Sequence, residues 1–96
     1  MGLFQLFRRD KGDPEVARRA RLLRTGRITD GSIIDIGTDD AGAVTHVFYT
    51  YDISGVEYES SQTLDAGQLA RAADYYPAAP CTVRYEPHQP ANSIVV

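Results

Sequence analysis

The side chains best suited to chemistry in this sequence are one cysteine and two histidines. Cys81 is the only thiol, and His46 and His88 lie far from each other along the chain. A thiol nucleophile needs a neighbouring base, and usually a cation or helix end that lowers its pKa. Cys81 instead alternates with Val83 and Tyr85, as buried strand residues do. We therefore expect a small core residue and no catalytic residue.

The polar residues also lack the spacing of a metal site. One cysteine and two isolated histidines do not provide the paired ligands that zinc requires. Three aspartates near Gly37 and Gly42 lack the successive oxygen ligands of a calcium loop, namely Asp35, Asp39 and Asp40. We predict no metal, no other cofactor and no enzymatic activity.

The elements that position these residues begin with a helix. Asp13 is a suitable cap, Pro14 tolerates a first helical turn, and Glu15 suits the positive end of the helix dipole. The helix should continue to about Thr25 and end at Gly26. It carries a narrow apolar stripe between arginines, formed by Val16, Ala20 and Leu23. We expect this helix to lie on the surface.

Two strands should follow. Ile28 to Ile36 reads as the first, with Ile34 and Ile36 on one face and Gly31 at a bulge or bend. Val44 to Ile53 reads as the second, with alternating faces. One face carries Val47, Tyr49, Tyr51 and Ile53, and the other carries His46, Phe48, Thr50 and Asp52.

A hairpin should join the second strand to a third. If Ser54-Gly55 is a two-residue turn, Tyr51 lies opposite Tyr58 and the aromatic face continues across both strands. The same register places Asp52 opposite Glu57 on the outward face. We expect both carboxylates to extend into water without a bound cation.

The last third of the chain predicts a short helix and two more strands. Asp65 can cap a helix from Ala66 to about Tyr75, which the following prolines end. Residues 81–86 alternate as a strand, and Ser93 to Val96 are short enough to form an edge strand. The predicted fold is α+β and mainly β. It is a curled, barrel-like antiparallel sheet of five strands, with an N-terminal helix and a short helix between strands 3 and 4.

Length and composition predict a single small domain. The 96 residues are 43% hydrophobic and 24% charged, so residues 13–96 can form one modest core behind a flexible apolar and basic arm at residues 1–12. A single cysteine fits a reducing compartment. Neither a membrane-spanning segment nor a secretory signal is evident, and we expect the protein in the cytoplasm.

Charge is divided unevenly along the chain. The first 27 residues hold eight basic residues and three acids, a net of +5, whereas the rest holds two arginines and ten acids, a net of −8. A basic segment on an acidic body can attract phosphate or anionic lipid, or it can dock on its own body. We favour docking or a solvated segment.

Several motifs resemble a bacterial family, the domain of unknown function 3592. They are Gly55-x-x-Tyr58, Tyr76-Pro77 and the run from Val83 to Ser93, and the resemblance covers roughly residues 17–96. Two features depart from the family pattern. Ala79 stands where a glycine is usual, and many members look membrane-anchored although this chain shows no spanning helix. The resemblance implies no catalytic residues.

Absence of convergent polar residues favours a non-catalytic interaction or scaffold module with an unknown protein partner. Apolar residues directly before basic ones also suit the surface of an anionic membrane, and the candidate residues in the arm are Phe4, Leu6, Phe7, Arg8 and Arg9. Phe48 is a further candidate, since its polar face leaves it uncovered. Either the first helix or a second copy in a homodimer would cover it.

Two alternatives stay open at this point. A small-ligand binder or enzyme could use a pocket lined by Tyr49, Tyr51, Tyr58 and Tyr85. Nucleic acid could bind the basic helix, although the acidic remainder of the chain would repel phosphates and no base-reading motif is visible.

Overall fold

The computed structural model describes residues 14–96, so the predicted Asp13 cap and the arm at residues 1–12 lie outside the described residues. Helix α1 spans Pro14–Thr25 and is followed by strands β1 (Arg27–Thr38), β2 (Val44–Ile53) and β3 (Val56–Thr63). Helix α2 (Ala66–Leu69) and a 3-10 turn (Ala72–Asp74) precede β4 (Pro80–Glu86) and β5 (Gln89–Val95). None of the helices among these residues has the length and apolar character to cross a membrane.

The five strands form one antiparallel sheet in the order β3-β2-β1-β4-β5. Strand β4 returns to lie beside β1, which is the Greek-key connection. The sheet curls until β3 approaches β5, giving a nearly closed barrel that confirms the predicted fold. This is the partly open, five-stranded Greek-key architecture that OB-folds also have.

The β2–β3 hairpin has the predicted register. Tyr51 pairs with Tyr58 and Asp52 with Glu57. Ser54 and Gly55 have positive φ angles of 54° and 84°, as a turn that matches the twist of a hairpin requires. A local pattern of alternating residues and a two-residue turn were sufficient to fix this part of the sheet.

The observed strand β1 differs from the sequence prediction in two details. The register of β1 against β2 shifts between Ile33 and Asp35 and again between Gly37 and Thr38, and not at Gly31. The first of these shifts, the bulge at Ile34, turns Ile33 into the core and leaves Ile34 exposed, so Ile34 and Ile36 do not share an inward face. Gly31 is needed for close approach, since a Cβ there would lie 2.8 Å from both the Thr50 carbonyl oxygen and a Val83 methyl.

The core fills the barrel with aliphatic and tyrosine side chains. It contains Ile33, Val47, Tyr49, Tyr51, Leu64, Tyr75, Ala79, Val83 and Val95. Cys81 and Tyr85 are partly buried against this cluster, as the alternation along β4 predicted. Burial of such side chains is worth roughly 1.5–3 kcal/mol for each large one.

Helix α1 packs against β4 and β5. It lies on the surface as predicted, with Leu22 as its buried contact, 1% exposed. The apolar face of a surface helix usually packs on the core, but here Val16 is 63% and Leu23 is 52% exposed. We call Val16, Ala20 and Leu23 the outward stripe, because all three are exposed.

The segment after β3 contains the predicted cap but a shorter helix. The Asp65 carboxylate accepts a hydrogen bond from the Gln68 amide, and the Gln68 side chain returns one to the Asp65 amide. This reciprocal pair is a capping box. The α-helix ends at Leu69, well before the predicted Tyr75, and β5 begins at Gln89, before the predicted Ser93.

Candidate interaction surfaces

The thiol and the imidazoles do not form a reactive group. Burial, with a smaller contribution from Asp30, raises the pKa of Cys81 to about 11, so the thiol is protonated at neutral pH. His46 Nε2 lies 3.2 Å from the Thr63 hydroxyl. His88 lies in the β4–β5 turn, where its amide donates to Glu86. Within residues 14–96, no group of three His, Cys, Asp or Glu side chains could hold a metal ion.

The inward tyrosines stack on one another. Ring centroids of Tyr49 and Tyr51 lie 5.9 Å apart, and those of Tyr51 and Tyr58 lie 5.4 Å apart. The Tyr49 hydroxyl is 2.7 Å from Ser93 Oγ, and the Tyr51 hydroxyl donates to the Pro90 carbonyl oxygen. Ring contacts and strand-to-strand hydrogen bonds therefore occupy the space that a tyrosine-lined ligand pocket needs.

The gap between β3 and β5 is closed by side chains. We call it the seam, and its central residues are Gln62, Gln68 and Val95. The Val95 amide donates to Gln62 Oε1 (2.9 Å), and Gln62 Nε2 donates to the Val95 carbonyl oxygen (3.0 Å). The side-chain amide of Gln62 thus pairs with the Val95 backbone as a neighbouring strand would.

Helix α2 contributes the third member of the seam. Gln68 Nε2 donates to the Val95 carbonyl oxygen at 2.9 Å, and Gln68 Oε1 accepts from Gln62 Nε2 at 3.2 Å. Both glutamines are buried, and buried amides are stable when their hydrogen bonds are satisfied. Sequence reasoning missed both residues, although Gln68 stands three residues after Asp65, the spacing of a capping box.

Helix α1 crosses the same seam with two arginines. Arg18 donates to the Ser93 carbonyl oxygen on β5 at 2.9 Å, and Arg19 donates to the Thr63 carbonyl oxygen on β3 at 2.8 Å. Glu15 joins the two guanidinium groups, at 2.9 Å from Arg18 and 2.6 Å from Arg19. The hydrogen bond from Arg18 is the main reason that the pKa of Glu15 falls to about 2.

These contacts determine which face of α1 stays open. Arg18 and Leu22 face the barrel, so the outward stripe is left in solvent beside α2. A shallow apolar groove of about 380 Å³ runs along the stripe, lined by Glu15, Val16, Arg19, Ala20, Leu23 and Asp65. Arg24 is exposed and follows Ala20 by one helical turn. The open face of α1 therefore combines apolar and cationic residues.

The outer face of β1, β2 and β3 has the opposite charge. Asp30, Asp35, Asp52, Glu57 and Glu59 are all exposed there, and residues 28–63 contain no lysine or arginine. Phe48 lies in the middle of this surface, 40% exposed, with its ring 6.3 Å from His46. We call this surface the acidic face.

The candidate residues proposed from the sequence are only partly covered by the structure. Phe4, Leu6, Phe7, Arg8 and Arg9 lie outside the described residues. Phe48 is exposed on β2, whereas α1 packs on β4 and β5. The expectation that the first helix covers Phe48 is therefore wrong, because the arginines of α1 fix that helix over the seam.

The family resemblance is confirmed by a sequence profile. The profile described as domain of unknown function DUF3592 matches residues 24–96. The chain belongs to this family. The match includes all five strands of the barrel and begins in the last turn of α1, so the DUF3592 region starts after the outward stripe. No curated protein and no solved structure matches the chain.

The segment before β4 contains a strained alanine. Ala78 has a positive φ of 77°, a region that favours glycine. Its amide donates to the Ile33 carbonyl oxygen, and the Ile33 amide donates to the Ala79 carbonyl oxygen. Ala79 is buried in the core. Glycine would therefore adopt the backbone conformation of Ala78 without strain, whereas Ala79 contributes its methyl group to the core.

Proposed function

We propose that this chain is a non-catalytic interaction module that attaches reversibly to anionic membrane surfaces through its N-terminal arm and α1. The observation that carries the proposal is the outward stripe. The fold buries Leu22 and anchors Arg18, yet leaves Val16 and Leu23 more than half exposed. Clustered apolar side chains that a fold leaves in solvent commonly serve as contact surfaces.

The charges around the stripe support a lipid surface as the partner. Arg21 and Arg24 are exposed on α1, and the arm that precedes it carries further apolar and basic residues. Such helices lie in the interface of anionic membranes. Each basic residue near such a surface contributes about 1 kcal/mol, which gives reversible attachment without a lipid anchor.

We place the module in the cytoplasm as part of the same proposal. Its only cysteine is protonated and partly buried, which suits a reducing compartment.

The other two candidate functions, a tyrosine-lined ligand pocket and nucleic-acid binding, have less support. Stacked tyrosines favour a filled barrel over a ligand pocket. In OB-folds, nucleic acid binds the face of strands 2 and 3, and here that face carries carboxylates.

Liposome co-sedimentation tests the proposal. The full chain should pellet with phosphatidylserine-containing vesicles and stay in the supernatant with phosphatidylcholine vesicles. Deletion of residues 1–9, or Leu23→Glu, should remove most of the pelleted fraction. Val56→Glu is the matched control, because Val56 is equally exposed, at 52%, in the β2–β3 turn region. Circular dichroism would establish that each variant is folded.

Two outcomes would contradict attachment to anionic membranes through the arginines and the outward stripe. Equal binding to neutral and anionic vesicles would remove the role of the arginines. A Leu23→Glu variant that binds as well as the Val56→Glu control would remove the role of the outward stripe.

A further inference from the structure

We propose that the acidic face is a docking surface for helix α1 of a second copy of this chain. Phe48 would contact the outward stripe of the second copy, and the surrounding carboxylates would contact its Arg21 and Arg24. This inference goes beyond membrane attachment, since it concerns association of the protein in solution. It uses a surface, the acidic face, on which the membrane proposal does not depend.

Phe48 has no cover from α1 of its own chain. Helix α1 is held over the seam by Arg18 and Arg19, which donate to β5 and β3. Phe48 projects from the other side of β2, where Asp35 and Ser61 are its neighbours in the sheet. Ile34, displaced by the bulge in β1, is also exposed next to this pair.

The negative charge of the acidic face is not neutralised by ion pairs within residues 14–96. The only ion pairs found within residues 14–96 join Arg18 and Arg19 to Glu15, and Arg71 to Asp74. The five carboxylates of the acidic face have no cationic partner in that part of the chain. A surface of single sign around an exposed aromatic ring is complementary to an apolar surface bordered by cations.

Two acidic faces cannot pair symmetrically without repulsion. A two-fold dimer through Phe48 would place five carboxylates against five identical ones, and like charges across an interface are unfavourable. The surface of opposite charge is the open face of α1, where the outward stripe adjoins Arg24. The contact is therefore heterologous, with α1 of one copy on the sheet of the next.

The size and charge of the two contact surfaces determine how strongly two copies should associate. The apolar parts are small on both sides, so the contact should be weak and transient. Its electrostatic component should decline as salt shortens the screening length from about 10 Å at 0.1 M to about 3 Å at 1 M. Sedimentation velocity at low salt should show the average mass of the full chain rising with concentration, and 1 M salt should reverse this rise.

A mixing experiment gives the decisive test. Phe48→Ser removes the centre of the acidic face, and Leu23→Ser removes the centre of the outward stripe. Each variant alone should associate about tenfold or more weakly than the parent chain. Mixed together, they should form a one-to-one pair of about twice the monomer mass, since each retains the surface that the other has lost. Val56→Ser should associate like the parent chain.

Every other outcome would overturn the inference. These are a parent chain that stays monomeric, a mixture that does not pair, or a Phe48→Ser variant that self-associates normally. Stronger association after deletion of residues 1–12 would assign the arm, and not a second copy, to the acidic face. Vesicle binding separates this inference from the membrane proposal: Phe48→Ser should still pellet with anionic vesicles, whereas Leu23→Glu should not.

Discussion

The two sides of the barrel are held together differently. From β3 through β2, β1 and β4 to β5, neighbouring strands pair through a continuous backbone ladder. Between β3 and β5 no such ladder joins the described residues, and the closure depends on Gln62, Gln68 and the arginines of α1. Stability on the ladder side is spread over many backbone hydrogen bonds, whereas at the seam it is concentrated in a few side chains.

This difference predicts where single substitutions should be most damaging. A surface change on the ladder leaves the backbone bonds intact, so it should alter the free energy of unfolding by no more than about 0.5 kcal/mol. A change at the seam removes the partner of a buried backbone group. An unsatisfied buried group costs about 1–3 kcal/mol.

The largest effect is expected for Gln62→Leu. It leaves the Val95 amide without its acceptor and removes one of the two donors to the Val95 carbonyl. The free energy of unfolding, measured by urea denaturation, should fall by roughly 2–3 kcal/mol. Glu59→Leu, an exposed position on the same strand, is the control and should change it by about 0.5 kcal/mol or less. Equal losses for both variants would mean that the seam has no special role.

The second prediction concerns the hydrogen bond across the barrel interior. Tyr49→Phe leaves the buried Ser93 hydroxyl without the Tyr49 oxygen at 2.7 Å. We expect a loss of roughly 1–2 kcal/mol in urea denaturation. Tyr58→Phe is the matched control, since the Tyr58 ring stacks in the same row but its hydroxyl makes no hydrogen bond within residues 14–96. A loss as large for Tyr58→Phe would point to ring packing as the cause.

Local features of this fold could be predicted from the sequence. The Ser54-Gly55 turn and the alternation of β2 determined the hairpin register, and Asp65 was identified as a helix cap. Each depends on residues close together in the chain. The five-stranded, barrel-like sheet also followed from the order of the predicted elements.

Features that depend on distant residues could not be predicted. In the sequence, Gln62 and Gln68 are ordinary polar residues. Their role becomes visible only in the folded chain, where β5 places Val95 beside them. The docked face of α1 carries Leu22 and the arginines that bond to carbonyl oxygens of β3 and β5, and the sequence does not show that these carbonyl oxygens lie together. The bulge at Ile34 likewise lies beside Ile33, whose backbone bonds to the distant Ala78 and Ala79.

A third prediction compares two adjacent alanines on the ladder side. Ala78→Gly should leave stability unchanged or raise it by up to about 1 kcal/mol, because glycine relieves the positive φ at some cost in unfolded-state entropy. Ala79→Gly should lower stability by about 1 kcal/mol, because it removes a buried methyl group. Thermal unfolding of both variants would show shifts of opposite sign, or no shift for Ala78→Gly. A clear loss of stability for Ala78→Gly would show that the positive φ at this position is not a source of strain.

The smallest effect concerns pH and the anchoring of α1. The pKa of Glu15 is lowered in the folded chain from 4.5 to about 2. Its contribution to stability is therefore fully present above about pH 4.5 and is lost as the pH falls towards 2. Because the carboxylate is partly exposed, we expect only about 0.2–1 kcal/mol. Denaturation of the parent chain and of Glu15→Gln should differ at neutral pH and converge towards pH 2. A difference independent of pH would exclude the ion pairs as its source.

The pairing of a strand with a side-chain amide also gives the molecule a built-in reporter. Most amides in the sheet are bonded to a backbone carbonyl, and they exchange their hydrogen with solvent only when a strand separates. The Val95 amide is bonded to Gln62 Oε1, so rotation of one side chain exposes it. In deuterium-exchange experiments its lifetime should follow local opening of β5 from β3, while neighbouring amides follow global unfolding.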